Sequence, residues 1–187
     1  MLTGSEYCVG FIKIELFFNS DTLSPDTENP EGLMTQGTVV AICIAPIAGA
    51  PMQMLQEVRA IAGHGLEGDR YALGEGSFNK GRMGNRQITL INAHFVNGSG
   101  FDYADTRRNL VVQGIELMDQ IGNQFRVGDV HLRGIKYCDP CMRPTILGGK
   151  SKSFRDIFHD RGGLVAEVLA GGLIQVGNAV TTRHKGY

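Results

Sequence analysis

Hydrophobic and polar positions along this chain fall into many short segments, most with the twofold period of β-strands. Residues 38–45 form a β-branched apolar run that Pro46, Gly49 and Pro51 terminate, the pattern of a buried strand. Residues 54–62 alternate as a second strand, and residues 86–91 and 110–112 read as two more. Residues 125–129 predict a strand reaching a Gly-Asp turn, and residues 130–137 alternate as a half-buried strand. Residues 164–169 and 173–176, joined through Ala170, Gly171 and Gly172, predict a hairpin. Helical signal is sparse. It covers one turn over 92–97, a short helix between Gly114 and Gly122, and a helix through His159 that Ser151 or Ser153 would cap. Seven to nine short strands with one or two helices, and no solenoid repeat, predict a mainly β fold: a barrel or barrel-like sandwich.

The first 33 residues follow a different pattern. Residues 12–18 alternate as a strand, and residues 19–32 are rich in Ser, Asp, Pro and Asn, a linker composition. Patterned sequence begins just after Met34. The expectation is an extension over 1–33, with Met34 as the natural start, and a single domain over 34–187.

Composition narrows the class. The 187 residues suffice for a full hydrophobic core without disulfide or metal staples. A formal net charge of −1 argues against a broad nucleic-acid surface. The 26 glycines fit a turn-rich fold. Four cysteines are too few and too unevenly spaced for a secreted disulfide scaffold. The N-terminal apolar run carries Lys13 and Glu15 and does not read as a signal peptide. No stretch approaches the roughly 20 apolar residues of a membrane span. The expectation is a cytoplasmic protein with reduced thiols and no membrane partner.

Chemistry concentrates in Tyr137-Cys138-Asp139-Pro140-Cys141-Met142-Arg143-Pro144. A Cys-x-x-Cys pair has three physical uses. A zinc site needs two further ligands, and there is no second pair, while His131 and His159 stand isolated. A thioredoxin-like exchange site needs a helix beginning at the first cysteine, which Pro144 and Gly148-Gly149 oppose. The third use needs one thiolate, to carry sulfur or to bind a soft metal. Pro140 and Pro144 would fix the loop and present Cys141 rigidly. The bland alternative is a buried thiol in a tight turn. Cys43, inside a strand, reads as a small core hydrophobe.

Two other stretches bear on the choice. Residues 63–70 hold three glycines with His64, Glu67, Asp69 and Arg70, and a glycine loop continues to Lys80, Gly81 and Arg82. Arg70, Arg86, Arg107 and Arg108 lie at loop–strand borders, where sites tend to be built, and Asn109 joins them. Guanidinium groups bind phosphate bidentately, and an Asn amide reads a heterocycle edge. Taken singly, each arginine reads as a solvated surface charge.

Five motifs in order carry a family resemblance. They are Gly65 to Arg70, Arg86 to Ile91, Arg107 to Val111, Gly122 to Asp129, and Cys138-Asp139-Pro140-Cys141. Over residues 36–181 the chain resembles stand-alone MOSC domains, which are similar to the C-terminal domain of molybdenum cofactor sulfurases. The resemblance implies a MOSC-type β-barrel with a few short helices. It implies that Cys141 matches the family's reactive cysteine, which ligates the metal of a molybdopterin cofactor in related amidoxime-reducing and hydroxylaminopurine-reducing proteins. It places Arg107 and Asn109 in the cofactor-holding Arg-x-Asn motif, with Arg70 and Arg86 beside them, and the expectation is that Arg107, Asn109 and Cys141 line one cleft. The sulfurases' pyridoxal-phosphate domain does not fit within 187 residues.

Three functions follow as expectations. The first is a molybdenum-dependent reductase of N-hydroxylated small molecules. Cys141 would be the metal ligand, Asp69, Glu67, His64 or Asp139 would supply protons, and an external electron donor would serve it. The second is a sulfur carrier, with a persulfide on Cys141, Cys138 as resolving thiol, and a sulfurtransferase partner. The third is a non-enzymatic binding barrel.

Overall fold

A computed structural model describes residues 34–78 and 86–183. The strand expected over 12–18, the linker after it, Cys8 and the loop through Lys80 lie outside the described residues. The described chain is mainly β. Its strands are β1 (Met34–Ile44), β2 (Gln53–Leu55), β3 (Glu57–Ile61), β4 (Gly65–Leu66), β5 (Ile88–Asn92), β6 (Leu110–Gln113), β7 (Gln124–Val127), β8 (Val130–Tyr137), β9 (Leu164–Ala170), β10 (Gly172–Gln175) and β11 (Ala179–Arg183). Three helices of four or five residues are α1 (Ala93–Val96), α2 (Arg143–Leu147) and α3 (Phe154–Ile157).

Seven strands close a barrel in the order β1, β11, β7, β8, β9, β5, β6 and back to β1, while β2 extends the far end of β1. Closure depends on β1. Its first half pairs β11 and its second half pairs β2, and a bulge between Val39 and Ala41 lets it turn along the barrel wall. All barrel pairings are antiparallel except β5 with β6. A parallel pair needs a crossover, and residues 93–109 provide it, with α1 on the outer face.

Alternation assigns the faces. Ile88, Leu90, Leu110 and Val112 point into the barrel with Phe125, Leu132, Leu164 and Val180. Ile91, Val111 and Ala41 point outward, under a second cluster of Val96, Phe101, Phe154 and Phe158. Every residue of β5 is therefore buried. Phe154 and Phe158 stack at 4.2 Å with Phe101 edge-on, which fastens the segment after α2 to the crossover. Ser153 caps α3 by accepting from the Asp156 amide at 3.2 Å.

Three local expectations are corrected. The strand over 54–62 is two strands, broken at Gln56, because β2 pairs with β1 whereas β3 joins β10 and β4 in a separate small sheet. The two-residue β4 also gives the glycine-rich stretch a strand that composition alone did not predict. Residues 114–122 form only one 3-10 turn, Met118–Gln120. Ile115 and Leu117 are both buried, an alternate spacing that drives this stretch into the barrel end instead of a helix. Residues 164–176 are not a hairpin: β9 pairs β5 and β8, and β10 pairs β3. Side-chain-free Gly171 lets the backbone approach the Ala60 carbonyl and leave the barrel.

Candidate active site

Four chain segments meet at one end of the barrel. The first is the end of β1 with the loop behind it. Asp69 is fully buried there; one carboxylate oxygen accepts from the Ala45 amide at 3.0 Å and from Arg70 Nη1 at 2.9 Å, the other from the Tyr71 amide at 3.1 Å. Both carboxylate oxygens are engaged by protein donors, so Asp69 organises the loop. Arg70 Nη2 also donates to the Arg107 carbonyl at 3.1 Å.

The second segment is the end of the crossover. Thr106 Oγ1 donates to the Tyr103 carbonyl and accepts from the Arg108 amide, forming a tight turn. Within it Arg107 takes φ 59°, the one non-glycine residue with positive φ among the described residues. Such a conformation costs on the order of 1 kcal/mol and recurs at functional sites. Arg107 Nη1 donates to the Ala50 carbonyl at 2.8 Å, and the described residues place no carboxylate in ion-pair contact with it. Burial pushes its guanidinium down to about 10, with neighbouring Arg70 and then Arg143 acting the same way.

Arg108 points the other way. Its Nε donates to the Gly162 carbonyl at 2.8 Å, and Nη1 and Nη2 donate to the Thr106 and Cys138 carbonyls, each at 3.2 Å. Asn109 is fully buried. Its amide oxygen accepts from Thr89 N and Thr89 Oγ1 at 3.1 and 2.9 Å, and its nitrogen donates to the Cys43 carbonyl at 3.2 Å. That side chain ties β5, β6 and β1 together where the parallel pair begins.

The third segment carries the cysteines. The Cys138 amide donates to the Gly163 carbonyl at 2.8 Å, extending the β8–β9 ladder by one residue beyond the Tyr137–Leu164 pair. Gly162 backs this point, and a Cβ on it would meet the Cys138 carbonyl oxygen. The Tyr137 hydroxyl accepts from the Gly162 amide at 2.9 Å and donates to the His159 carbonyl at 2.6 Å. Cys141 then follows, half-buried, two residues before α2. The short α2, limited by Pro144 and Gly148-Gly149, agrees with the expectation that no long helix starts here.

The fourth segment is Ser77, Phe78 and Arg86. Arg86 Cζ lies 4.2 Å from the Phe78 ring centroid, and Arg86 Nη1 donates to Cys138 Sγ at 3.4 Å. Burial works against its charge, but Cys138 and Tyr71 beside it prevail and hold the guanidinium above its ordinary value.

These segments line a cleft that is open to solvent. Among the described residues, five arginines line it (Arg70, Arg86, Arg107, Arg108 and Arg143) with Tyr71, Phe78 and Cys141, and Asp139 is the one carboxylate in the lining. Of the expected site residues, Arg70, Arg86, Arg107 and Cys141 come together there. Asn109 does not, and neither does Asp69. Two of the three residues expected to share one cleft do so. Among the other candidate proton donors Asp139 is in the lining, while His64 and Glu67 are exposed outside it. Cys43 is fully buried, and burial pushes its thiol up to about 11, as its core position requires.

Sequence reasoning left Tyr71, Ser77, Phe78 and Arg143 without a role in the site, while Pro144, expected to fix the loop, is in the lining. Arg143 alone carried a usable signal, two positions after Cys141; it donates to Ser77 Oγ across the cleft. Among the described residues no group of three metal-ligating side chains converges. No described helix is long and apolar enough to cross a membrane.

Comparison with known proteins bears on the same region. A family model described as the MOSC domain matches residues 84–181, just over half of the chain. No curated protein sequence matches. Among solved structures, the fold is similar to the YuaD protein from Bacillus subtilis, with TM-score 0.66 and 16% identity over 79% of this chain and 96% of that one. It is also similar to YiiM from Geobacillus stearothermophilus (TM-score 0.58, 14% identity, 79% of this chain and 75% of that one). YiiM from Escherichia coli gives TM-score 0.55 at 14% identity, over 80% of this chain and 72% of that one. At these identities the likeness speaks to the fold.

Proposed function

Because the chain belongs to the MOSC domain family, related members of which bind the molybdenum cofactor, we propose that it is a molybdenum-cofactor protein reducing N-hydroxylated compounds through Cys141. One observation carries this reading: a half-buried thiol lines a cleft where, among the described residues, five guanidinium groups accompany a single carboxylate. Such an imbalance favours an anionic occupant, and the sulfur favours a soft metal.

The residues fit the group. Cys141 would hold the metal. Arg107, Arg86 and Arg143 would hold the anionic groups, and Arg70 and Arg108, each donating to several protein acceptors, stiffen the walls. Arg107 is the best placed of them, since it is buried beside two other cations without an ion pair among the described residues. When bound, the cofactor supplies a two-electron couple. Reduction of an N–OH group to N–H takes two electrons and two protons and releases water. Asp139 is the carboxylate positioned to pass a proton into the cleft. Phe78 and Tyr71 contribute aromatic surface to the same cleft. The electrons come from a separate protein, because the chain contains no flavin or iron–sulfur motif.

Metal analysis tests the reading. Protein purified from a host that makes the cofactor should carry close to one molybdenum per chain, and Cys141→Ser should lose it. Absence of molybdenum, with sulfane sulfur found on Cys141 by mass spectrometry, would establish the sulfur carrier instead.

A further inference from the structure

Cys138 takes no part in the chemistry above, yet it is fully buried, and an arginine of the cleft wall donates to its sulfur. A resolving thiol would have to reach Cys141. Both cysteines are free thiols, with Cys138 fully buried and Cys141 half-buried. Cys138 is also held from both sides of its backbone, by the Gly163 carbonyl and by Arg108 Nη2. Its sulfur is a fixed point.

Arg86 connects that fixed point to the cleft. Its Nη1 donates to Cys138 Sγ, and the guanidinium lies 4.2 Å from the ring centroid of Phe78 and 5.9 Å from that of Tyr71. Both aromatic residues line the same cleft as Cys141. A guanidinium is one rigid plane, so fixing one nitrogen on the sulfur and stacking one face on Phe78 restricts where its charge sits. Sulfur suits the task because it is a large, weak acceptor that survives full burial without further partners.

We propose that Cys138 is a positioning residue, whose buried sulfur aims Arg86 into the Cys141 cleft and sets the positive field that an anionic ligand meets there. The inference rests on the reading of the cleft as an anion site. Its test requires no molybdenum, so the two stand or fall separately.

The probe is the alkylation of Cys141 in the full-length protein, followed by peptide mass spectrometry. Iodoacetate is anionic and iodoacetamide neutral, so the ratio of their rates at Cys141 reports the local field, whereas a general loosening accelerates both reagents together. Removing one cation close to the sulfur should lower the ratio about threefold at low salt. Arg86→Gln should lower it by that factor, and Cys138→Ala, which keeps the charge but releases the guanidinium from its anchor, should lower it by a smaller factor in the same direction. The double variant should fall no further than Arg86→Gln alone, because both changes remove one interaction. Cys138→Ser, which keeps an acceptor, should restore most of the wild-type ratio. If Cys138→Ala does not fold, Cys138→Val fills the volume without an acceptor and takes its place. The proposal is overturned if the ratio is unchanged without the sulfur, or if the two single effects add in the double variant. An unchanged ratio in Arg86→Gln with molybdenum still bound would remove the role of Cys138 and leave the cofactor reading intact.

Discussion

Arg108 and Cys138 stand thirty positions apart in the chain, and the guanidinium of one donates to the carbonyl of the other at 3.2 Å. The same guanidinium donates to the Gly162 and Thr106 carbonyls. One side chain thereby joins the crossover turn, the start of β9 and the base of the cysteine loop. Arg108→Ala leaves three buried carbonyls without this donor and should destabilise the protein by about 3 kcal/mol. Urea denaturation checks the magnitude. Hydrogen exchange at the Cys138 amide should accelerate in the same variant, since the Cys138–Gly163 bond is then held from one side only.

Asn109 is a test of structure against site. Asn109→Ala removes one acceptor shared by two Thr89 donors and one donor to Cys43, all buried. A loss of about 3 kcal/mol is expected. The iodoacetate-to-iodoacetamide ratio at Cys141 should not move in the folded variant, because Asn109 lies outside the cleft lining. A changed ratio at wild-type stability would show that the side chain acts on the cleft itself.

Arg107 should behave in the opposite sense. Its guanidinium is pushed down to about 10 by burial and by Arg70 and Arg143, so the unfolded chain holds this proton more tightly than the folded one. The folded state is penalised while Arg107 is charged, in full at neutral pH, and the penalty is released only as pH rises past about 10. Arg107→Gln should therefore leave the phosphate-free protein as stable as wild type or more stable, by about 1 kcal/mol. Pyrophosphate should raise the melting temperature of wild type and fail to do so in Arg107→Gln. Thermal melts at two phosphate concentrations decide it.

Cys43 gives a pH dependence with a defined window. Burial pushes its thiol from 9.0 up to about 11. The folded state keeps this proton where the unfolded state has lost it, so the stabilisation is complete below pH 9 and is lost as pH rises towards 11. The decline should amount to about 3 kcal/mol across that interval. Cys43→Val should flatten the stability profile over the same range, measured by denaturant titration at successive pH values.

The contribution of the sequence can be separated residue by residue. Strand identity was legible because burial on one or both faces leaves a local record. Ile88 to Asn92, Leu110 to Val112 and Val130 to Tyr137 appear as strands where their period says they should. The break at Gln56 and the departure of β10 from the barrel were not legible, because strand partnership depends on residues distant in the chain. The motifs identified Cys141 and the arginines by residue type, and their order pointed to the family.

Only the tertiary structure decided what each polar group does. Asp69 and Asn109 have the composition of site residues, but their hydrogen bonds close on the protein itself. Arg107 and Arg108 are neighbours in sequence and both line the cleft, but Arg107 donates to the Ala50 carbonyl whereas Arg108 is engaged by three carbonyls at the base of the cysteine loop. A side chain's chemistry is set by its covalent structure and is readable locally. Whether its donors and acceptors remain available for a ligand depends on which backbone groups the fold brings within about 3 Å, and no local pattern records that.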